Sequence, residues 1–170
     1  MGVCAGDRQE IKMKIEIRKY SSKPNMLVCV REDGSTAWQS YGNQSNFFPY
    51  HDLTHFVVET ELGFWEGFYG MISAGRSIEE TGVDVPDGAQ VAESLAGLLS
   101  TVGAQGAMTF EEVKAVVDQQ LADIGLPPVE LSEVQLSIVR TRCAELFLQW
   151  QELEDGDSLR LDFPDKLKRK

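Results

Sequence analysis

Apolar residues at Ile11, Met13, Ile15 and Ile17 alternate with Lys12, Lys14, Glu16 and Arg18. A period of two predicts a β-strand with one face buried and one wetted. The segment from Met26 to Arg31 is apolar on both faces, and Asp33-Gly34 supplies residues that tolerate positive φ in a tight turn before Thr36 to Tyr41. Together these segments predict a three-stranded antiparallel meander. From Pro49 the period lengthens to that of a helix, with proline suited to its first turn and Gly63 as its stop. A second helix is expected from about Phe64 to Ala74, ended by Gly75. Residues 76–88, with Gly82, Pro86, Gly88 and several acids, read as an exposed loop and a candidate lid.

Three more helices are punctuated clearly. Asp87 is placed to cap a helix with the stripe Val91, Leu95, Leu98, Leu99 and Val102, closed by Gly103. Thr109 and Glu112 have the spacing of a capping box, with Met108 and Val113 as a staple, ahead of Val113, Val116, Val117, Leu121 and Ile124. Ser132 and Gln135 repeat the device, with Leu131 and Leu136 as the staple and Val139, Cys143, Leu146, Phe147 and Trp150 as the buried stripe. Leu159, Leu161 and Phe163 then alternate with Arg160 and Asp162, a last strand that must find an edge of the meander. Strands grouped at the ends and helices between them describe an α+β fold, an antiparallel sheet packed against about five helices, rather than repeated βαβ units.

A chain of 170 residues suits one domain, placed at 11–165, with residues 1–10 read as a disordered leader and 166–170 as a basic tail. The formal charge of −11 argues against nucleic acid and anionic membrane surfaces as partners. No apolar run approaches the length of a membrane span, and the opening Met-Gly lacks Ser or Thr at position 6, where Gly6 stands instead. Cys4, Cys29 and Cys143 are odd in number and scattered, which fits a reducing compartment and predicts a cytoplasmic protein.

The chain has two histidines, His51 and His55, four residues apart on the expected helix. That spacing puts both imidazoles on one face, where one divalent cation, zinc or iron, can bridge them. Candidate third ligands are Glu59, which continues the stripe but is better placed to orient His55, and Glu66, which requires a bend at Gly63; Glu79 and Glu80 follow on the loop. Asp52 and Glu59 are the candidate catalytic acids. Asp52 occupies the position of the general base in the metalloprotease motif His-Glu-x-x-His but is one methylene shorter, which disfavours peptide hydrolysis. A second reading of Asp52 is charge in the first helical turn, or an N-cap. For the histidines, the competing reading is two structural residues hydrogen-bonded to Glu59 or to backbone carbonyls. The surrounding Phe47, Phe48, Tyr50, Phe56, Phe64, Trp65, Phe68 and Tyr69 suit a core, and Gly63, Gly67 and Gly70 suit close packing or a bend.

The stretch from Asn46 to Glu59, with Leu62-Gly-Phe and Gly67-Phe-Tyr-Gly-Met71, resembles a family of uncharacterised bacterial proteins over about Met13 to Glu80. The core His51-Asp52-x-x-His55 is also similar to the zinc motif of a ubiquinone-biosynthesis family, where a glutamate follows the second histidine after eleven intervening residues. Here that position is Gly67, with Glu66 one residue early. The expectation is a metal-binding protein acting as a hydrolase or lyase on a small molecule. The alternatives are a non-catalytic ligand-binding or interaction domain, and a homodimer formed through the exposed side of the sheet.

Overall fold

The computed structural model describes residues 11–101 and 106–165. The leader expected at 1–10, the tail at 166–170, and the helix end expected at Val102 and Gly103 lie outside the described residues. The fold is α+β. Strands β1 (Ile11–Arg18), β2 (Met26–Arg31) and β3 (Thr36–Ser40) form the meander, and β4 (Ser158–Pro164) returns to pair with β1. All pairings are antiparallel, in the order β3-β2-β1-β4. Among the described residues, five α-helices lie between β3 and β4: α1 (Phe48–Leu62), α2 (Phe68–Ser73), α3 (Asp87–Leu99), α4 (Phe110–Asp123) and α5 (Glu133–Glu152).

The register explains the alternation. Ile15 lies between Cys29 and Leu161, and Ile17 between Leu27 and Leu159, so these residues share the face that covers the core. Lys14, Glu16 and Arg160 take the other face, where Arg160 lies 3.6 Å from Glu16. The hairpin turn forms where expected. Gly34 has φ of +81° and the Asp33 carboxylate accepts from the Ser35 N–H at 2.9 Å. Arg31, at the end of β2, donates to the carbonyls of Ile72 and Arg76 at 2.6 and 2.7 Å, tying the sheet to the end of α2.

Both capping boxes are present, at Thr109/Glu112 on α4 and Ser132/Gln135 on α5. The buried face of α5 is the predicted one. Four details differ. Helix α2 begins only at Phe68, because residues 64–67 form a turn that delivers backbone N–H groups to a side chain of α1, described below. Pro86, not Asp87, occupies the cap of α3, since its extended backbone stops the helix and Asp87 makes no capping hydrogen bond. On α3 the small residues Ala89, Ala92 and Ala96 are buried with Leu95 and Leu99, because this face lies against α1, while Val91 and Leu98 are only partly covered. On α4, Ile124 closes the helix half-exposed instead of joining the core. In the loop 76–88, the buried Ile78 anchors a short 3-10 turn at Glu79–Gly82.

Helix α1 is the axis of the domain. It packs against α3, α5, α2 and β4, and residues 52–60 are all buried. A helix buried all round has no polar stripe, so each polar side chain on it must be satisfied inside the protein. Thr54 and Thr60 manage this locally, donating to the carbonyls of Tyr50 and Phe56, each at 2.7 Å. Asp52, His55 and Glu59 have no such option.

Candidate metal centre

Those three residues, together with His51, build a polar cluster on the side of α1 that meets α3. His51 and His55 are successive on one face, as the spacing requires, with ring centroids 4.7 Å apart. Asp52 is not an N-cap: the helix begins earlier, with Phe47 as its cap, and Asp52 is buried, accepting from the Tyr41 hydroxyl at 2.6 Å. Phe47, Phe48 and Phe68 wall the imidazoles, at 5.6 Å, 6.2 Å and 5.6 Å between ring centroids.

The remaining partner comes from α3. Glu93 Oε2 lies 2.7 Å from His55 Nε2 and Glu93 Oε1 lies 3.4 Å from His51 Nε2. One ligand atom from each of His51, His55 and Glu93 lies within 4.8 Å of the others, the only such group among the described residues. These three residues can therefore hold a metal ion. A tetrahedral ion with bonds of about 2.0–2.2 Å holds its ligands roughly 3.3–3.6 Å apart, so only small side-chain movements separate this arrangement from a coordinated one. The Glu93 side chain, 61% exposed, has room to make them.

Each imidazole also has a carboxylate on its far nitrogen. Asp52 Oδ1 lies 3.6 Å from His51 Nδ1, and Glu59 Oε1 lies 3.2 Å from His55 Nδ1. Glu59 accepts the His55 Nδ1 proton, which fixes the orientation of that ring and turns its Nε2 towards Glu93, whereas the Asp52 contact is too long for a hydrogen bond and leaves the buried His51 Nδ1 without a hydrogen-bond partner among the described residues. Glu59 is itself held rigidly. It is wholly buried, and its two oxygens accept from the N–H groups of Tyr69 and Gly70 at 3.3 and 3.1 Å, at the start of α2. This requires glycines. A Cβ on Gly67 would overlap the Glu59 carboxylate, and one on Gly70 would overlap the Trp65 carbonyl.

The electrostatics follow from this layout. Burial disfavours the charged form of His55, but the carboxylates of Glu59 and Glu93, one on each ring nitrogen, outweigh it and hold its pKa up at about 10. His51 is likewise raised, burial being overcome by Asp52 and Glu93. The imidazoles hold the Glu93 carboxyl well below the usual range, whereas burial pushes Glu59 up against the pull of His55 and the two N–H groups. In the metal-free protein, His55 therefore gains proton affinity on folding. Its contribution is complete below the unfolded value near 6.5 and is lost as pH rises through about 10. Chemical denaturation at pH 7 and at pH 10 is expected to show a loss on the order of a few kcal/mol that is much smaller in His55→Gln.

Of the acids that the sequence offers as ligands, Glu59 is brought to the site but stands behind His55 with both oxygens engaged. Glu66 lies elsewhere, beside Gly88 at the start of α3. Glu79 and Glu80 belong to the 3-10 turn, where the Glu80 carboxylate accepts from the Ser77 N–H. Sequence reasoning missed Glu93. The signal available was the run of small residues Ala89, Ala92 and Ala96, which marks the face of α3 that approaches another helix closely, with Glu93 at its margin.

No protein-family model, curated protein or solved structure matches this chain. No helix among the described residues is long and apolar enough to cross a membrane.

Proposed function

We propose that this protein binds one divalent metal ion, zinc or iron, through His51, His55 and Glu93, and uses it in hydrolysis or elimination on a small molecule. The observation that carries the reading is the convergence of three ligand atoms from two helices, with His55 backed by the buried Glu59 carboxylate. Two histidines and one carboxylate are the ligand set of catalytic zinc sites and of the iron facial triad, both of which leave coordination positions open. When bound, the metal supplies Lewis acidity and lowers the pKa of a water molecule. Glu59 orients the His55 imidazole, and Glu93, the most exposed ligand, marks the side from which water and substrate approach.

A second reading is favoured by one observation: the cavity described below is not lined by any of the three ligands. The same metal then acts as a brace between α1 and α3 with no substrate of its own.

Metal analysis of purified protein supplemented with zinc or iron is expected to give about one ion per chain. Added metal at about 100 times its Kd stabilises the fold by about 2.7 kcal/mol, or roughly 5–10 °C in Tm. The His51→Ala/Glu93→Ala variant is expected to lose both effects. Sub-stoichiometric metal in the wild type, with no thermal shift, rejects the metal site. Metal binding without turnover of ester, phosphoester or amide substrates favours the brace.

A further inference from the structure

A second site lies away from the histidines, in a cavity of about 250 Å³ between α2, the start of α3 and the end of β4. Its wall combines aromatic surface with charged groups of both signs, Lys12, Arg76 and Glu66, none of them in an ion pair among the described residues. Trp65 and Phe163 meet edge to face, with centroids 5.9 Å apart, and form the apolar side. Glu66, among the described residues, makes no hydrogen bond or ion pair, and the same holds for the ammonium of Lys12. Lys12 sits at a register shift between β1 and β4, an irregularity of the kind that re-aims a side chain. Arg76 spends Nη1 on the carbonyl of Val83 at 2.7 Å, while its Nε and Nη2 have no partner among the described residues. Those two N–H groups are the edge of a guanidinium that grips a carboxylate with two parallel hydrogen bonds.

We propose that this cavity binds a small zwitterion of the amino-acid class, its carboxylate on Arg76 and Lys12, its ammonium on Glu66 and its apolar side chain against Trp65 and Phe163. A simple anion leaves Glu66 facing negative charge, and a simple amine leaves Arg76 and Lys12 unmatched. A zwitterion answers both, and the cavity has the volume for a molecule of that size. None of His51, His55 and Glu93 lines the cavity, so the site is independent of the metal proposal.

The test is a titration followed by 1H–15N correlation spectra, reading the Trp65 indole N–H. The probes are L-phenylalanine, hydrocinnamic acid, which lacks the ammonium, and phenethylamine, which lacks the carboxylate. L-phenylalanine is expected to give saturable shifts and to bind roughly tenfold more tightly than either analogue. Glu66→Gln is expected to weaken L-phenylalanine and phenethylamine by roughly tenfold while leaving hydrocinnamic acid unchanged or tighter. Since Glu66 is exposed and unpaired, this variant is expected to retain the wild-type spectrum away from the cavity. The proposal is overturned by the absence of saturable shifts up to about 10 mM, by L-phenylalanine binding no better than its analogues, or by indifference to Glu66→Gln.

Discussion

His55→Ala is expected to remove about 3–5 kcal/mol from the stability of the metal-free protein, far more than His51→Ala. The difference lies in what each substitution leaves behind. Without His55, Glu59 keeps only the N–H groups of Tyr69 and Gly70 to offset a carboxylate with no exposed surface. A buried charge that loses its partner retains its desolvation cost, and the cavity left by the imidazole adds to it. Without His51, Asp52 still accepts from Tyr41, and Glu93 keeps its 2.7 Å contact with His55. Urea denaturation at pH 7 measures the contrast. Acidification narrows it, because Glu59, already raised by burial, takes up a proton and ceases to be an unpaired charge. Equal losses for the two alanine variants would show that Glu59 does not depend on His55.

Gly70→Ala is expected to cost about 2–4 kcal/mol, although it adds a single methyl group. The new Cβ would overlap the carbonyl oxygen of Trp65 and lie 2.6 Å from its carbon, and neither is the end of a flexible side chain. The turn between α1 and α2 has to open, which withdraws an N–H from Glu59 and leaves His55 without a fixed orientation. Gly67→Ala meets the flexible carboxylate of Glu59 instead of backbone, so it is expected to be milder in denaturation while still weakening metal affinity. Calorimetry with zinc on both variants separates the two effects. Wild-type stability for Gly70→Ala would contradict the close approach of these segments.

The fold was legible wherever a short-range rule decides the structure. The alternation of β1, the Asp33-Gly34 turn and the two capping boxes each depend on residues close in sequence, and each appears in the folded chain. The candidate site was half legible for the same reason. His51 and His55 are one helical turn apart, and Glu59 stands one turn beyond them as the orienting group for His55. Glu93 depends on how α3 lies across α1, which no local pattern encodes. The late start of α2 has the same origin, since its first N–H groups answer a carboxylate of another helix. The alanines of α3 look like weak core residues along the chain, and become informative only once the helix they approach is known.

The pairing of β1 with β4 imposes an order on how the protein is made. Residues as distant as Arg18 and Ser158 are neighbours in the sheet, so one edge of β1 is completed only after all five helices have been synthesised. Throughout that interval the strand offers unpaired backbone groups beside Met13, Ile15 and Ile17, a ready template for another nascent chain. Lys12, Lys14, Glu16 and Arg18 alternate with those residues, and in that light they are gatekeepers, charges that keep an unfinished edge from recruiting the wrong strand.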